Sequence, residues 1–287
     1  MAANTRDIRR RIKSVKNTAQ ITKAMQMVAA SKMRKAQQLA LDGRPYSALL
    51  HKMSMALRDL TGQKSHPLLA VRPVAKELVL IIATDKGLCG ALNTNLLREA
   101  NQFNRDTTTY ITAGKKASQW LARAKRDLLA DFPLQDTPSF ADTKVISSFI
   151  IEKFLAGDID KVTILYTRFI NTLTQTPTAA TLLPVTPISD EITSPDEMSA
   201  SEEITFEPNA ATFLDALMPY YVHLLVYRAV LEARASEHSA RMVAMKSASD
   251  NAKSLIKDLT LEYNKLRQAS ITTELLEISS AQMVLGQ

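Results

Sequence analysis

Residues 5–42 read TRDIRRRIKSVKNTAQITKAMQMVAASKMRKAQQLALD, with no glycine and no proline. Alanine, methionine, lysine, arginine and glutamine fill the stretch, and all are strong helix formers. Ile8, Ile12, Val15, Ala19 and Thr22 follow alternating steps of four and three, the spacing of one helix face. Ile21, Met25 and Val28 make a second row, with Ala24 and Ala29 beside it, so the expected apolar stripe is wider than a strict coiled-coil seam. Ala24, Ala29, Ala30 and Ala36 are small enough to let another helix come close. Gly43-Arg44-Pro45 should break this helix, and a second helical stretch is expected from Tyr46 towards Leu60, ending at Thr61-Gly62-Gln63.

The other end of the chain has the same character. From Ala210 to Leu285 there is no glycine and only one proline, Pro219. Helical spacing recurs at Phe213, Leu217, Tyr220, Leu224, Tyr227 and Leu231, then at Met242, Met245, Leu255, Leu259, Tyr263 and Leu266. At ~1.5 Å per residue the two ends would span roughly 80 Å and 110 Å as straight helices. A domain of the ~150 residues between them has a radius of gyration of only about 15 Å. Helices of that length must be covered by each other or by another protein.

The middle reads as α/β. Glu77 to Ala83 (ELVLIIA) is a continuous apolar run of strand length, as expected for a strand buried on both faces. Helix is expected from Leu92 to Phe103, capped by Asn93 or Asn95. A strand follows over 108–112, then Gly114 and a helix to about Ala124. A helix over 142–156 should bury Val145, Phe149, Ile150 and Phe154. Lys161 to Phe169 is a strand, and 180–185 another. Strands alternating with helices imply a largely parallel, Rossmann-like sheet. Pro184 to Pro208 is polar and acidic, as a loop would be. The expected division is 1–60, 75–208 and 209–287.

The net charge of +7 is unevenly spread. Residues 1–58 carry 13 Lys/Arg against 2 Asp/Glu, whereas 59–208 are net acidic and 209–287 are neutral. A helix this basic seeks an acidic partner: nucleic acid, anionic lipid or an acidic protein surface. The single cysteine, Cys89, excludes an internal disulfide and suits a reducing compartment. No apolar run approaches the ~20 residues that cross a bilayer. The basic start lacks the apolar core of a secretory signal.

No complete active site is legible. Gly114-Lys115-Lys116-Ala117-Ser118 lacks the second glycine of a phosphate loop, since position 109 is Thr. Gly87-Leu88-Cys89-Gly90 follows a strand and precedes a helix, so its amides could hold an anion or its thiol act as a nucleophile. A tight turn around a packed thiol is the simpler reading, because no histidine is near in sequence. His51, His66, His223 and His238 show no metal-ligand spacing. No cofactor is expected.

The segment Ile21-Thr-Lys-Ala-Met-Gln-Met-Val-Ala-Ala-Ser-Lys-Met-Arg34 closely resembles the first helix of the gamma subunits of F-type ATP synthases. Collinear likenesses follow at Asp85-Lys-Gly-Leu-Cys-Gly90, at 169–177, at 242–251 and at Tyr263-Asn-Lys-Leu-Arg-Gln-Ala-Ser-Ile-Thr-Thr-Glu-Leu-Leu-Glu277. Lys86 stands where arginine is common, and Ser279-Ser280 replaces a small pair. Pro219 falls where the family is expected to be proline-free, marking either a first turn or a kink. The lone thiol excludes the cysteine-bearing regulatory loop of chloroplast members. The match also begins near residue 6, leaving no room for a transit peptide, so the likeness is to bacterial members.

The resemblance implies an antiparallel coiled coil of the N- and C-terminal helices with an α/β domain at its foot. It implies a rotor subunit without bond chemistry of its own. The partners it implies are a hexameric ring of alpha and beta subunits, an epsilon subunit and the membrane c-ring. Membrane association would be peripheral, through the complex alone, at the cytoplasmic face of a bacterial inner membrane. Arg267 and Gln268 match the family motif for contact with a beta-subunit loop, and Thr272, Glu274 and Glu277 belong to that motif. Lys23 and Met25 lie at the matching height, and Arg34 and Lys35 are further contact candidates. Two alternatives from the residues alone are a nucleic-acid-binding protein using the basic helix and an α/β enzyme using Cys89.

Overall fold

A computed structural model describes residues 2–43, 49–50, 66–185 and 210–285. The expected helix from Tyr46 to Leu60 and the loop over 186–208 fall mostly outside the described residues. The chain divides into two compact units: a helical unit of residues 1–29 and 241–287, and a sheet unit of residues 30–240. Helix α1 (Ala2–Asp42) contributes to both, as does the last helix, α5 (Ala210–Leu285).

The sheet unit is built on β1 (Glu77–Ile82), whose side chains from Leu78 onwards are all buried. Its parallel neighbours are β2 (Thr108–Ala113) and β4 (Lys161–Phe169). β3 (Leu128–Phe132) extends the sheet in parallel beyond β2, and β5 (Gln175–Leu183) pairs antiparallel with β4. The order is β3-β2-β1-β4-β5. Period-two alternation divides β1 between two cores. Leu78, Leu80 and Ile82 join α4 (Phe140–Leu155) and the first half of α5, through residues such as Ile150, Phe154, Val222 and Val226. Val79, Ile81 and Ala83 join α2 (Leu92–Ala100) and α3 (Lys115–Ala124), through Leu96, Ala100, Ala117 and Leu121.

Several local expectations are corrected. The sheet is largely parallel, as expected, since three of its four pairings are parallel, but β5 returns antiparallel, begins at Gln175 and carries Pro177. Proline is tolerated there because β5 is an edge strand. β3 has no counterpart in the sequence reading; its alternately half-buried and exposed residues leave only a weak apolar signal. α2 has no side-chain cap: Ala91 is the capping position, and Asn93 donates instead to Thr84 Oγ1 (2.8 Å) and Cys89 Sγ (3.4 Å). On α4 it is Ile146, Ile150, Ile151 and Phe154 that are buried, while Val145 is 60% exposed. Ser139 and Asp142 begin that helix with a reciprocal capping box. Pro219 lies inside α5, nine residues after its start, so it neither starts nor ends the helix.

Candidate functional site

In the helical unit, the first row read from the sequence is the one that is covered. Ile8 is buried, and Ile12, Val15, Ala19 and Thr22 are half-buried. The same alternation of four and three runs through α5: Met245, Ser249, Ala252, Ile256, Leu259, Tyr263, Leu266, Ser270 and Thr273. Two rows of this period, on two helices of one unit, are the seams of a coiled coil. α1 leaves the unit at Ala29 and α5 enters it at Arg241, so the helices run in opposite senses. The seam is narrower than expected. Ile21 is 60% exposed, Val28 54% and Leu255 47%, and only Met25 of the second row is half-buried. A strict 3.5-residue repeat uses two positions in seven, so neighbouring apolar residues stay outside. Every residue from Glu274 to Ser280 is exposed, including Leu275, Leu276 and Ile278.

The predicted contact residues lie off the seam. Lys23, Arg267, Gln268, Thr272, Glu274 and Glu277 are exposed, as are Arg34 and Lys35 in the sheet unit. Their hydrogen bonds are local: Thr272 Oγ1 donates to the Gln268 carbonyl (2.9 Å), and Ser270 Oγ to Glu274 (3.3 Å). Among the described residues the Arg267 side chain has no ion-pair partner. Lys32 differs from its basic neighbours, since its ammonium donates to Asp136 at 2.6 Å. That hydrogen bond, before any other cause, holds the Asp136 carboxyl below the usual range.

The candidate chemical loops of the sheet unit are closed by their own geometry. Gly114 has φ +123°, and a Cβ there would stand 2.2 Å from the Ala83 carbonyl oxygen, so the glycine serves a close backbone crossing. The Lys115 amide at the start of α3 donates to Asp85 Oδ1 (3.0 Å). The chain's own carboxylate thus holds the place a phosphate would take at that helix end. Cys89 is buried in the turn after β1, where Leu88 and Gly90 have positive φ. Among the described residues no cluster of His, Cys, Asp or Glu could hold a metal ion. No helix among them is long and apolar enough to cross a membrane.

Two buried histidines make structural bonds. His66 Nδ1 accepts the Leu68 amide (3.0 Å), and His223 Nδ1 lies 2.7 Å from Ser147 Oγ. Burial pushes both imidazoles below their ordinary pKa. Ser147 is completely buried, so its pairing with His223 fastens α4 to α5 and cannot meet a substrate.

A charge cluster at the C-terminal edge of the sheet escaped the sequence reading. Arg234 of α5 is 3% exposed. Its guanidinium donates to Glu237 (2.7 Å) and to the Leu134 carbonyl (3.0 Å), and it lies 3.7 Å from Asp85. Nearby on the helix, Ser236 and Ser239 donate to the carbonyls of Thr167 and Thr172, both at 2.9 Å. The signal in the sequence was an Arg and a Glu three apart on a helix that was read only for its apolar spacing, and charges that become buried demand internal partners.

A family model described as ATP synthase matches residues 4–285. The ATP synthase gamma chain of Methylacidiphilum infernorum is 51% identical, covering 99% of this chain and all of that one. That of Opitutus terrae is 48% identical, covering 98% of each. Among solved structures, the Tetrahymena thermophila mitochondrial ATP synthase, central stalk and c-ring, has a chain of TM-score 0.62 and 27% identity, covering 80% of this chain and 99% of that one. A chain of the Euglena gracilis mitochondrial ATP synthase shares the fold at TM-score 0.71 and 22% identity, over 99% of this chain and 95% of that one.

Proposed function

This chain belongs to the ATP synthase gamma-chain family, and from that premise we propose how its surfaces serve the assembled enzyme. It is a central-stalk subunit of a rotary ATP synthase, working with the alpha and beta subunits and the membrane c-ring. In the proposed mechanism, proton flow turns the c-ring and this chain with it. The uneven surface of the helical unit then meets the three catalytic sites in turn and drives them through different affinities. The chain contributes contact and stiffness, and the bond chemistry belongs to the ring. An epsilon subunit accompanies it, at the cytoplasmic face of a bacterial inner membrane.

The observation that carries this reading is the narrow seam. The helical unit spends two positions in seven on holding itself together, which leaves Ile21, Val28, Leu261, Leu275, Leu276 and Ile278 exposed. Apolar surface on this scale is the mark of a protein interface. Its polar neighbours supply directed contacts: Lys23, Met25, Arg34, Lys35, Arg267, Gln268, Thr272, Glu274 and Glu277 are the proposed coupling residues. None of them is buried, so they are available for contact and contribute little to the fold.

Arg267→Ala with Gln268→Ala should leave the helix content unchanged, because both residues are off the seam. A charged hydrogen bond to a subunit loop is worth about 1.5–3 kcal/mol, so ATP synthesis and hydrolysis by the assembled enzyme should fall about tenfold or more. Unchanged turnover in both directions would remove these residues from the coupling surface.

A further inference from the structure

Torque must pass between the sheet unit and the helices α1 and α5. Apolar burial carries no directional preference of its own, whereas hydrogen bonds and ion pairs fix direction. One short segment receives such bonds from both helices. The Leu134 carbonyl accepts from Arg234 of α5, and Asp136 accepts from Lys32 of α1. Pro133 and Pro138 bracket this segment, and each fixes its own φ. β3 ends at Phe132, immediately before it, and α4 starts at Phe140, behind the Ser139–Asp142 capping box. A pull on the segment is therefore passed at once to a strand and to a helix start. Arg234 is itself held by Glu237 and faces Asp85, whose other carboxylate oxygen holds the first amide of α3.

We propose that residues 133–138 are a torque clamp, gripped by α5 through Arg234 and by α1 through Lys32, and that these two side chains are positioning residues for coupling. The proposal rests on the central-stalk reading. The two grips differ in kind. Arg234 is buried and locked, and Lys32 is a partly exposed pair that can be removed with little effect on folding.

The test uses the assembled enzyme with a rotation probe on the c-ring. Thermal angular spread is read with the catalytic ring stalled, together with the ratio of ATP synthesis to hydrolysis. The variants are Lys32→Met and the pair Arg234→Met with Glu237→Leu, which removes both members of the buried ion pair and leaves neither charge without the other. Loss of either grip should raise the angular variance above that of the wild type, and loss of the buried Arg234 grip should raise it more than loss of the exposed Lys32 pair. The synthesis-to-hydrolysis ratio should fall in both variants. A lower melting temperature with wild-type variance and ratio would assign the cluster to folding alone and overturn the clamp. Should the buried pair variant fail to fold, Lys32→Met decides by the same readouts. A wild-type chain that does not rotate in the complex would remove the stalk reading itself, whereas a rotating wild type beside variants of unchanged variance and ratio removes only the clamp.

Discussion

α5 is one helix with two kinds of surroundings. From Leu214 to Ser239 most of its side chains are buried, on every side, against the sheet core and the charge cluster. From Met245 to Thr273 only one narrow row is covered. The first half is held as a core element is held, by packed apolar groups and by the hydrogen bonds of Arg234, Ser236 and Ser239. The second half is held by a seam and leaves its remaining faces to another molecule. Secondary structure is the same in both. The width of the buried face separates a stretch that stabilises its own unit from one that waits for a partner.

The largest expected effect breaks the sheet unit at its tightest point. Gly114→Val forces a side chain into the Ala83 carbonyl at a positive φ, and should destabilise by about 4 kcal/mol or more. Urea unfolding of the full chain reads it, and a loss below about 1 kcal/mol would show that the β1–β2 crossing relaxes easily.

A matched pair of truncations tests the contrast itself. Phe154→Ala empties a fully buried site and should cost about 3–5 kcal/mol. Ile256→Ala, in the half-buried seam, should cost about 1–2 kcal/mol in the free chain. Equal losses would mean that the helical unit is packed as a core and needs no partner.

The next effect comes from pH. All four histidines lie in residues 30–240, and the helical unit has none. His66 and His223 are held below the ordinary value of 6.5, chiefly by burial. The unfolded chain therefore takes up protons first as pH falls, so stability is full above 6.5 and declines as pH falls towards the folded values. Hydrogen exchange, corrected for its intrinsic pH dependence, should show β1 and β4 losing protection as pH falls below about 6.5, through global opening of the sheet unit. His223→Phe should flatten that decline. Equal loss in the helical unit would show that the two units open as one.

The smallest effect falls on the exposed apolar surface. Leu255→Gln should change the stability of the free chain by no more than about 0.5 kcal/mol. A larger loss would move Leu255 into the seam.

Much of this contrast was legible from residue spacing. Ile8, Ile12, Val15, Ala19 and Thr22 are the covered row of α1, and the ELVLII run is the central strand. Spacing was less reliable where apolar residues lay beside the row. Ile21, Val28 and Leu255 fit a helical period yet stay outside, because two helices that meet along a seam cover only a narrow strip. β3 and the start of β5 were missed because edge strands are half solvated and alternate weakly.

The two long helices, the buried parallel strands, the basic first segment and, through collinear motifs, the family follow from residue order alone. Each is written in local composition and periodicity, which act within a few residues. Long-range packing selects which of two apolar rows is covered, puts Asp85 at the α3 terminus, and brings Arg234 and Lys32 to one loop. Asp85 meets a residue 30 positions away, and Arg234 and Lys32 meet residues about a hundred positions away. A buried charge is tolerable only with partners, and no local pattern names a partner that folding brings from so far along the chain.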